Sequence, residues 1–379
     1  MNTKYLILSL LYIFLISCKE ITKNKKKENL IFKNSVTYAK GFSIQNYTQF
    51  KKLTIYTSFQ GDNTQAKNYY LIPKDKKVPD SLSEKNIIRI PIEKMVVTST
   101  THIPMLELIG AENTLVGFPN TQYISSKKTR TLIKNKKVQE LGEERSINTE
   151  LLINLQPELV IGFGVSNTGQ TYKNIKKSGI KVIMNSDWLE QTPLGKAEWI
   201  RFFGALYDKD SLASMRFNKI VADYKKIKKQ LLSVKDKPTV ISGSLYQDVW
   251  HMPAGNSFVA QFLKDAQTNY LWKDSKGTGS LSLSIESVLE KGKNAEFWIN
   301  PGFYTSKKAL IQDSPHYQEF NAFKNNKLFT YSLTKGPTGG VLYFELASTR
   351  PDLVLEDLAS IFHPEVFPKT EWTFFQALN

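Results

Sequence analysis

Between Asn148 and Gly164 the hydrophobic pattern changes period once and then stops. Leu151, Leu152 and Leu155 share one face of a short helix that Asn148 is suited to cap, and Pro157 ends it. Leu159 to Ile161 then run apolar without interruption, as a strand buried on both faces of a parallel sheet does. Gly162 and Gly164 open a loop at its carboxyl end. The same unit returns at Ser284-Ile285-Glu286-Ser287-Val288-Leu289, followed by Ala295 to Gly302: a cap, an acidic residue two places on, an apolar pair, a strand and a Pro/Gly-broken loop. Two copies so far apart predict two α/β lobes of related design that face each other.

The remaining pattern fills in around these units. From Val36 to Ile92 it is β-like, with runs at Phe42-Ser43-Ile44, Leu53 to Tyr56, Tyr69 to Ile72 and Ile87 to Ile90. We read these as antiparallel strands extending the edge of the first lobe. Strands at Met95 to Val97, Leu115 to Phe118, Leu159 to Ile161 and Lys181 to Met184 alternate with helical stretches, which predicts a doubly wound parallel sheet. Thr100 or Thr101 can cap the first of those helices. A helical segment then runs from about Thr192 to Leu206, turns at Tyr207-Asp208 and continues from Asp210 to Ser233. In its second part Leu212, Met215, Phe217, Ile220, Val221, Tyr224, Ile227 and Leu231 recur at helical spacing. About 24 helical residues span roughly 36 Å, enough for a strut between lobes. The second lobe restarts at Thr239 to Gly243, with a loop holding Tyr246, Trp250 and His251. The predicted fold is therefore α/β: two doubly wound parallel-sheet lobes joined by a long backbone helix, with an N-terminal β-rich extension.

The amino-terminal end changes the picture. Lys4 precedes an apolar run from Tyr5 to Ile16, too short to cross a bilayer as a helix but suited to a secretory signal. The chain's single cysteine, Cys18, follows Leu15-Ile16-Ser17, which resembles a bacterial lipoprotein cleavage box. Acylation there would tether the protein to a lipid bilayer, several acyl chains holding it more stably than one. Lys23, Lys25, Lys26 and Lys27 lie in a polar stretch that reads as a flexible tether. The expected division is 1–17 signal peptide, 18–35 tether, 36–191 first lobe with its extension, 192–233 bridging helices and 234–379 second lobe. The net charge of +16 comes from lysines spread along the chain without a nucleic-acid motif, so nucleic acid is not an expected partner and a solvated basic surface near anionic lipid is.

Several stretches together carry a family likeness: Leu108-Ile109-Gly110-Ala111-Glu112-Asn113-Thr114-Leu115-Val116-Gly117, the segment from Leu141-Gly142 to Gly164, Gly255-Asn256-Ser257-Phe258, the Ser284-Ile285-Glu286 unit, and Leu358-Ala359-Ser360-Ile361-Phe362-His363-Pro364-Glu365. Across nearly all of its mature length the chain resembles the substrate-binding proteins of ABC importers that carry ferric siderophores, haem or cobalamin, the class with a helical backbone between lobes. The resemblance implies a permease and its ATPase as partners, with Glu150 and Glu286 docking on permease arginines. A first-turn carboxylate is also favoured by the helix macrodipole, but two at matched places in copied units favour the docking role.

Ligand is expected at the carboxyl ends of the strands, between the lobes. The loops there hold Tyr123, Trp188, Trp250, Tyr270, Trp272, Phe303, Tyr304 and Tyr331, aromatics suited to a large, partly apolar metal chelate; about half are expected in core packing instead. Thr101 and His102 follow the first strand, and His102 is a candidate metal or haem ligand. Lys307, Lys335 and Arg350 are candidates for meeting an anionic siderophore. On that account a ferric siderophore is slightly favoured over cobalamin, with haem as an alternative and an adhesive surface lipoprotein as another. His251, His316 and His363 show no ligand spacing relative to His102, so no dedicated bare-ion site and no resident cofactor is expected. No Gly-x-Ser-x-Gly, phosphate loop or paired-carboxylate signature points to an enzyme, and no cysteine after Cys18 can hold a cluster.

Overall fold

The computed structural model describes residues 30–32, 35–56, 66–82, 86–163, 169–369 and 371–379. The apolar run after Lys4, Cys18, the lysine-rich tether and Gly164 lie outside the described residues.

In the first lobe, parallel strands at Met95–Val97, Leu115–Phe118, Gln139–Glu140, Leu159–Gly162 and Val182–Met184 stand in spatial order third, second, first, fourth, fifth. The uninterrupted apolar runs have the expected cause. Leu159 and Ile161 enter one core while Val160 enters a separate cluster on the opposite face, with Val96, Val182 and Met184. The strand Gln139–Glu140 escapes the sequence pattern, because two polar residues carry no periodicity. Asn148 caps its helix by accepting from the Leu151 amide, and Gln156 ends it in a left-handed conformation just before Pro157. Thr101, in contrast, makes no capping hydrogen bond.

The second lobe orders Asn269–Tyr270, Thr239–Ser242, Phe297–Ile299, Leu328–Thr330 and Gln376–Ala377 side by side, the last strand antiparallel. In each lobe the strand of the repeated unit lies directly beside the lobe's first strand. What was expected as a loop around Trp250 is a three-stranded antiparallel sheet, Ser244–Tyr246, Val249–Pro253 and Ser280–Leu283.

The N-terminal extension is not an edge of the first lobe's sheet. Its strands, Leu30–Phe32, Phe42–Tyr47, Lys51–Ile55, Lys67–Pro73 and Ile87–Ile90, form their own five-stranded sheet, antiparallel except for the last pair. Phe42, Ile44, Leu53, Leu71 and Ile88 nevertheless share the first lobe's core. The connection is also polar. The buried Glu198 carboxylate accepts from the amides of Thr37, Tyr38 and Ala39, and Glu190 accepts from those of Lys40 and Gly41 and from the Trp199 indole. Two buried carboxylates thus take up five consecutive amides that would otherwise be costly to bury.

The bridging region is two short helices, Pro193–Ala197 and Ile200–Leu206, followed by a helix at Asp210–Gln230 that ends in a 3-10 turn at Leu231–Ser233. Phe217 and Ile220 of the long helix belong to the first lobe's core, whereas Tyr224, Ile227 and Leu231 belong to the second's. Among the described residues no helix is long and apolar enough to cross a membrane.

Candidate functional site

A cavity of ≈ 550 Å³ lies between the lobes, at the carboxyl ends of their strands. The first lobe contributes Ser99 and Thr101 after its first strand, Phe163 after its fourth, and Asp187 and Trp188 after its fifth. The second contributes Ser242, Asn300 and Tyr331 from strand ends, His251 from the antiparallel sheet, Phe258 from a helix and Phe344 near the rim. One wall is aromatic: Tyr331 stacks on Tyr343 at 4.2 Å between centroids, and Phe344 sets its ring across Tyr331 at 5.5 Å. Phe344 is 47% exposed and leads outward to Phe303, 6.2 Å away.

The opposite wall is polar and unusually short of partners. The indole nitrogen of Trp188 lacks a hydrogen-bond partner, as do Asn185 Nδ2 and Ser186 Oγ, while the buried Asp187 carboxylate has only weak bonds from the Thr101 side chain and the Trp188 backbone. Burial raises the Asp187 carboxyl to about 6, with the neighbouring Lys196 charge opposing the rise. Lys196 itself is committed. Its Nζ donates to the main-chain oxygens of Asp187 and Trp188, both at 3.1 Å, and sits 4.5 Å from the centre of the Phe258 ring.

Of the residues singled out in the sequence, Thr101, Trp188 and Tyr331 line the cavity. His102 does not. It is fully buried beneath the wall between Phe163 and Phe203, and burial lowers its imidazole to about 3, so it stays neutral without presenting a nitrogen to the cavity. Trp250, Tyr270 and Trp272 are core residues of the second lobe. Tyr304 hydrogen-bonds Asp313 and packs on Tyr317, and Phe303 is outside the lining at the rim. Lys307 is held by the Phe323 main-chain oxygen and Asn326, Arg350 by Asp352, and Lys335 pairs with Val341 in an isolated bridge; none of the three lines the cavity. The expectation of cleft cations for an anionic ligand is corrected accordingly. Asp187 is the residue that sequence reasoning passed over, and His251 one that it named but set aside for want of ligand spacing. Asp187 stood beside Trp188 in a strand-end loop already marked, and Val249-Trp250-His251-Met252 alternates exposed and buried as a half-buried strand does.

Tyr123 is 54% exposed and serves a second junction between the lobes. There the glycine-rich loop after Lys335 meets residues 122–126. A Cβ on Gly336 would come within 2.4 Å of Ser125 Oγ, and one on Gly340 within 2.5 Å of the Tyr123 main-chain oxygen, which explains glycine at both. Thr338 donates to the Gln122 main-chain oxygen, and the buried Glu345 accepts from the Ser125 and Ser126 amides. Burial pushes the Glu345 carboxyl up to about 7, the two amides opposing and Glu107 adding to the rise. Because the folded value exceeds the ordinary 4.5, the stability it contributes is complete below 4.5 and is lost as pH rises through 7. The denaturation midpoint of the wild type, compared with that of Glu345→Gln, is therefore expected to fall progressively over that window. A difference that stays constant would show that Glu345 does not titrate there.

Glu150 and Glu286 lie exposed in the first turns of Thr149–Leu155 and Ile285–Gly292. A helix returning the chain between parallel strands starts at their carboxyl ends, so both carboxylates stand on the cleft side of their lobes.

The profile of the family described as "Periplasmic binding protein" matches residues 95–333, which include the parallel strands of both lobes, the strut and most of the cleft lining. The chain belongs to this family. The family is one of substrate-binding transport proteins. An uncharacterized lipoprotein of Methanocaldococcus jannaschii is 26% identical over 95% of this chain and 89% of its own length. A possible iron-binding periplasmic protein from Staphylococcus epidermidis superposes with a TM-score of 0.58 at 18% identity, covering 72% of this chain and all of that one. A periplasmic haem-binding protein from Pseudomonas aeruginosa does so at 0.57 and 16%, over 76% and 98%. At these identities the two structures speak for the fold.

Proposed function

We propose that this periplasmic binding protein captures a metal chelate between its lobes and delivers it to the permease and ATPase of an ABC importer. The observation that carries the reading is the cleft itself, a cavity of ≈ 550 Å³ with stacked aromatics on one side and single, unpaired polar groups on the other. Such a lining suits a ligand that is partly apolar and needs a few directional hydrogen bonds. Among the described residues no three His, Cys, Asp or Glu side chains gather as a metal-binding group. The iron- and haem-binding proteins of the same fold support a chelate as the cargo. Cobalamin and siderophores of low charge now stand ahead of anionic ones, since Lys307 and Arg350 are engaged elsewhere and Lys335 does not line the cavity. Glu150 and Glu286 serve as the two-point contact with the permease, and an acylated Cys18 holds the protein at the membrane that contains it.

Fluorescence titration of the chain tests the reading, with Trp188 as the tryptophan that lines the cavity. Saturable quenching by a ferric siderophore or a corrinoid, absent with free iron or zinc and lost in Trp188→Phe, is expected. Tight binding of a free ion, a sugar or a peptide would overturn it. Haem is a second reading, favoured by the exposed His251 on the cavity wall with the Tyr246 ring 6.4 Å away; it requires haem absorbance that shifts on binding and fails to shift in His251→Ala.

A further inference from the structure

A separate cavity, of ≈ 750 Å³, lies at the seam between the N-terminal sheet and the first lobe. Its walls are the start of the extension strand Lys67–Pro73, the end of the helix Gly169–Lys177, and the turn from Gly179 to Lys181 that enters the strand Val182–Met184. That turn stands at the amino end of its strand, so the cavity lies away from the cleft, which gathers the carboxyl ends. The seam is chemically one-sided. Lys67, Lys176 and Lys181 line it, and among the described residues no carboxylate does. Lys181 is committed, because its Nζ donates to the Ile87 main-chain oxygen at 2.7 Å and ties the turn to the extension. Lys67 and Lys176 make no ion pair with a described residue. Partial desolvation, and then the Lys67 charge, hold the Lys176 amine below its usual range. Folding thus brings two like charges together, which is costly unless an anion meets both. Two neutral donors line the same cavity. Thr54 donates to Asn68 Oδ1 at 2.8 Å, which fixes that amide and leaves its Nδ2 for another acceptor. Burial raises the Tyr69 hydroxyl to about 12, so it stays protonated, and it is not among the polar atoms sealed from solvent.

We propose that this seam binds a phosphate dianion, inorganic or the end of a monoester, through Lys67 and Lys176, with Tyr69 and Asn68 as neutral donors. Phosphate offers two charges for the two amines and further oxygens for the hydroxyl and the amide. Lys67, Asn68 and Tyr69 belong to the extension and Lys176 to the first lobe, so the bound anion joins the two. A lipid headgroup diester shares this chemistry but carries a single phosphate charge. The cavity also lies away from the cleft side, where the permease contact is proposed. Both points favour an anion taken from solution. The site is independent of the cleft and of whatever the cleft carries.

Calorimetric titration and thermal melting of the full chain with inorganic phosphate test the site, with sodium chloride of equal ionic strength as the reference. Saturable binding is expected, with a melting temperature that rises beyond the chloride reference. Lys67→Met keeps the stem and removes the charge, and it should weaken phosphate about tenfold. In phosphate-free buffer the same variant should melt no lower than wild type, because a repulsion has been removed. Lys176→Met is expected to behave alike from the other wall. A phosphate response no larger than that to chloride overturns the site, and so does one that both variants retain in full. A Lys67→Met chain that melts lower without phosphate overturns it too, since the amine would then have a structural partner. Glycerophosphoglycerol, a deacylated lipid headgroup, serves as the single-charge probe and should bind about tenfold more weakly than phosphate. Equal or tighter binding of that diester overturns the dianion assignment in favour of a lipid source.

Discussion

Trp250→Ala is expected to destabilise the second lobe by about 3–5 kcal/mol, the usual range for removing a large buried aromatic. Its indole is fully buried, stacks on Trp298 at 5.3 Å between centroids, meets Tyr317 edge-on at 5.8 Å and packs on a tilted Phe320 at 5.5 Å. The deletion would leave a cavity at the centre of this cluster. It would also strip the Ser242 main-chain oxygen of the indole N–H that bonds it at 2.9 Å. Ser242 lines the cleft, so loosening there would reach the ligand only indirectly. Chemical denaturation should show the loss at full size, while ligand affinity measured where the variant is still folded changes far less. Unchanged stability with lost affinity would place Trp250 in the binding surface instead.

Replacing Glu150 and Glu286 together with alanine is expected to reduce chelate import to background while affinity and melting temperature remain near wild type. Both carboxylates are exposed. The Glu286 carboxyl lies below its usual range because its own backbone amide and Ser284 bond it, which is a local first-turn effect. Exposed charges of this kind contribute little to folding. Their proposed value comes from their places: each begins the helix that feeds the strand beside its lobe's first strand, and both face the cleft side. Two fixed points on separate lobes register the lobes' separation to a partner. Import assayed in cells with the variant as sole binding protein decides the matter, and wild-type uptake would remove these residues from the docking surface.

Much of the fold was legible because the signals were local. The Asn148 and Ser284 caps, the uninterrupted strand at Leu159 to Ile161 and the spacing from Phe217 to Leu231 each follow from neighbouring residues. The extension was misread because whether strands join an existing sheet or form their own depends on distant pairing, which alternation does not encode. The site was less legible for a related reason. Tyr123, Trp250, Trp272 and Trp188 look alike in sequence, yet one lies at a junction, two in a core and one on the cavity. Long basic side chains misled similarly: Lys307 and Arg350 find partners through folded geometry, at Phe323 and Asn326 and at Asp352. Asp187 becomes informative only once its burial in the cavity wall is known, and no sequence pattern states that.

The strut helix has an effect beyond spacing the lobes. Its Phe217 and Ile220 complete one hydrophobic core and its Tyr224 and Ile227, less than two turns further on, complete the other. Val221, between the two pairs, packs against both cores, so a helix that unravels through this turn exposes apolar surface in both lobes. The lobes therefore melt together as one cooperative unit instead of as two foldons of separate stability. Ligand held in the cleft then protects residues far from it, because the free energy of binding is added to the single transition through which the entire molecule unfolds.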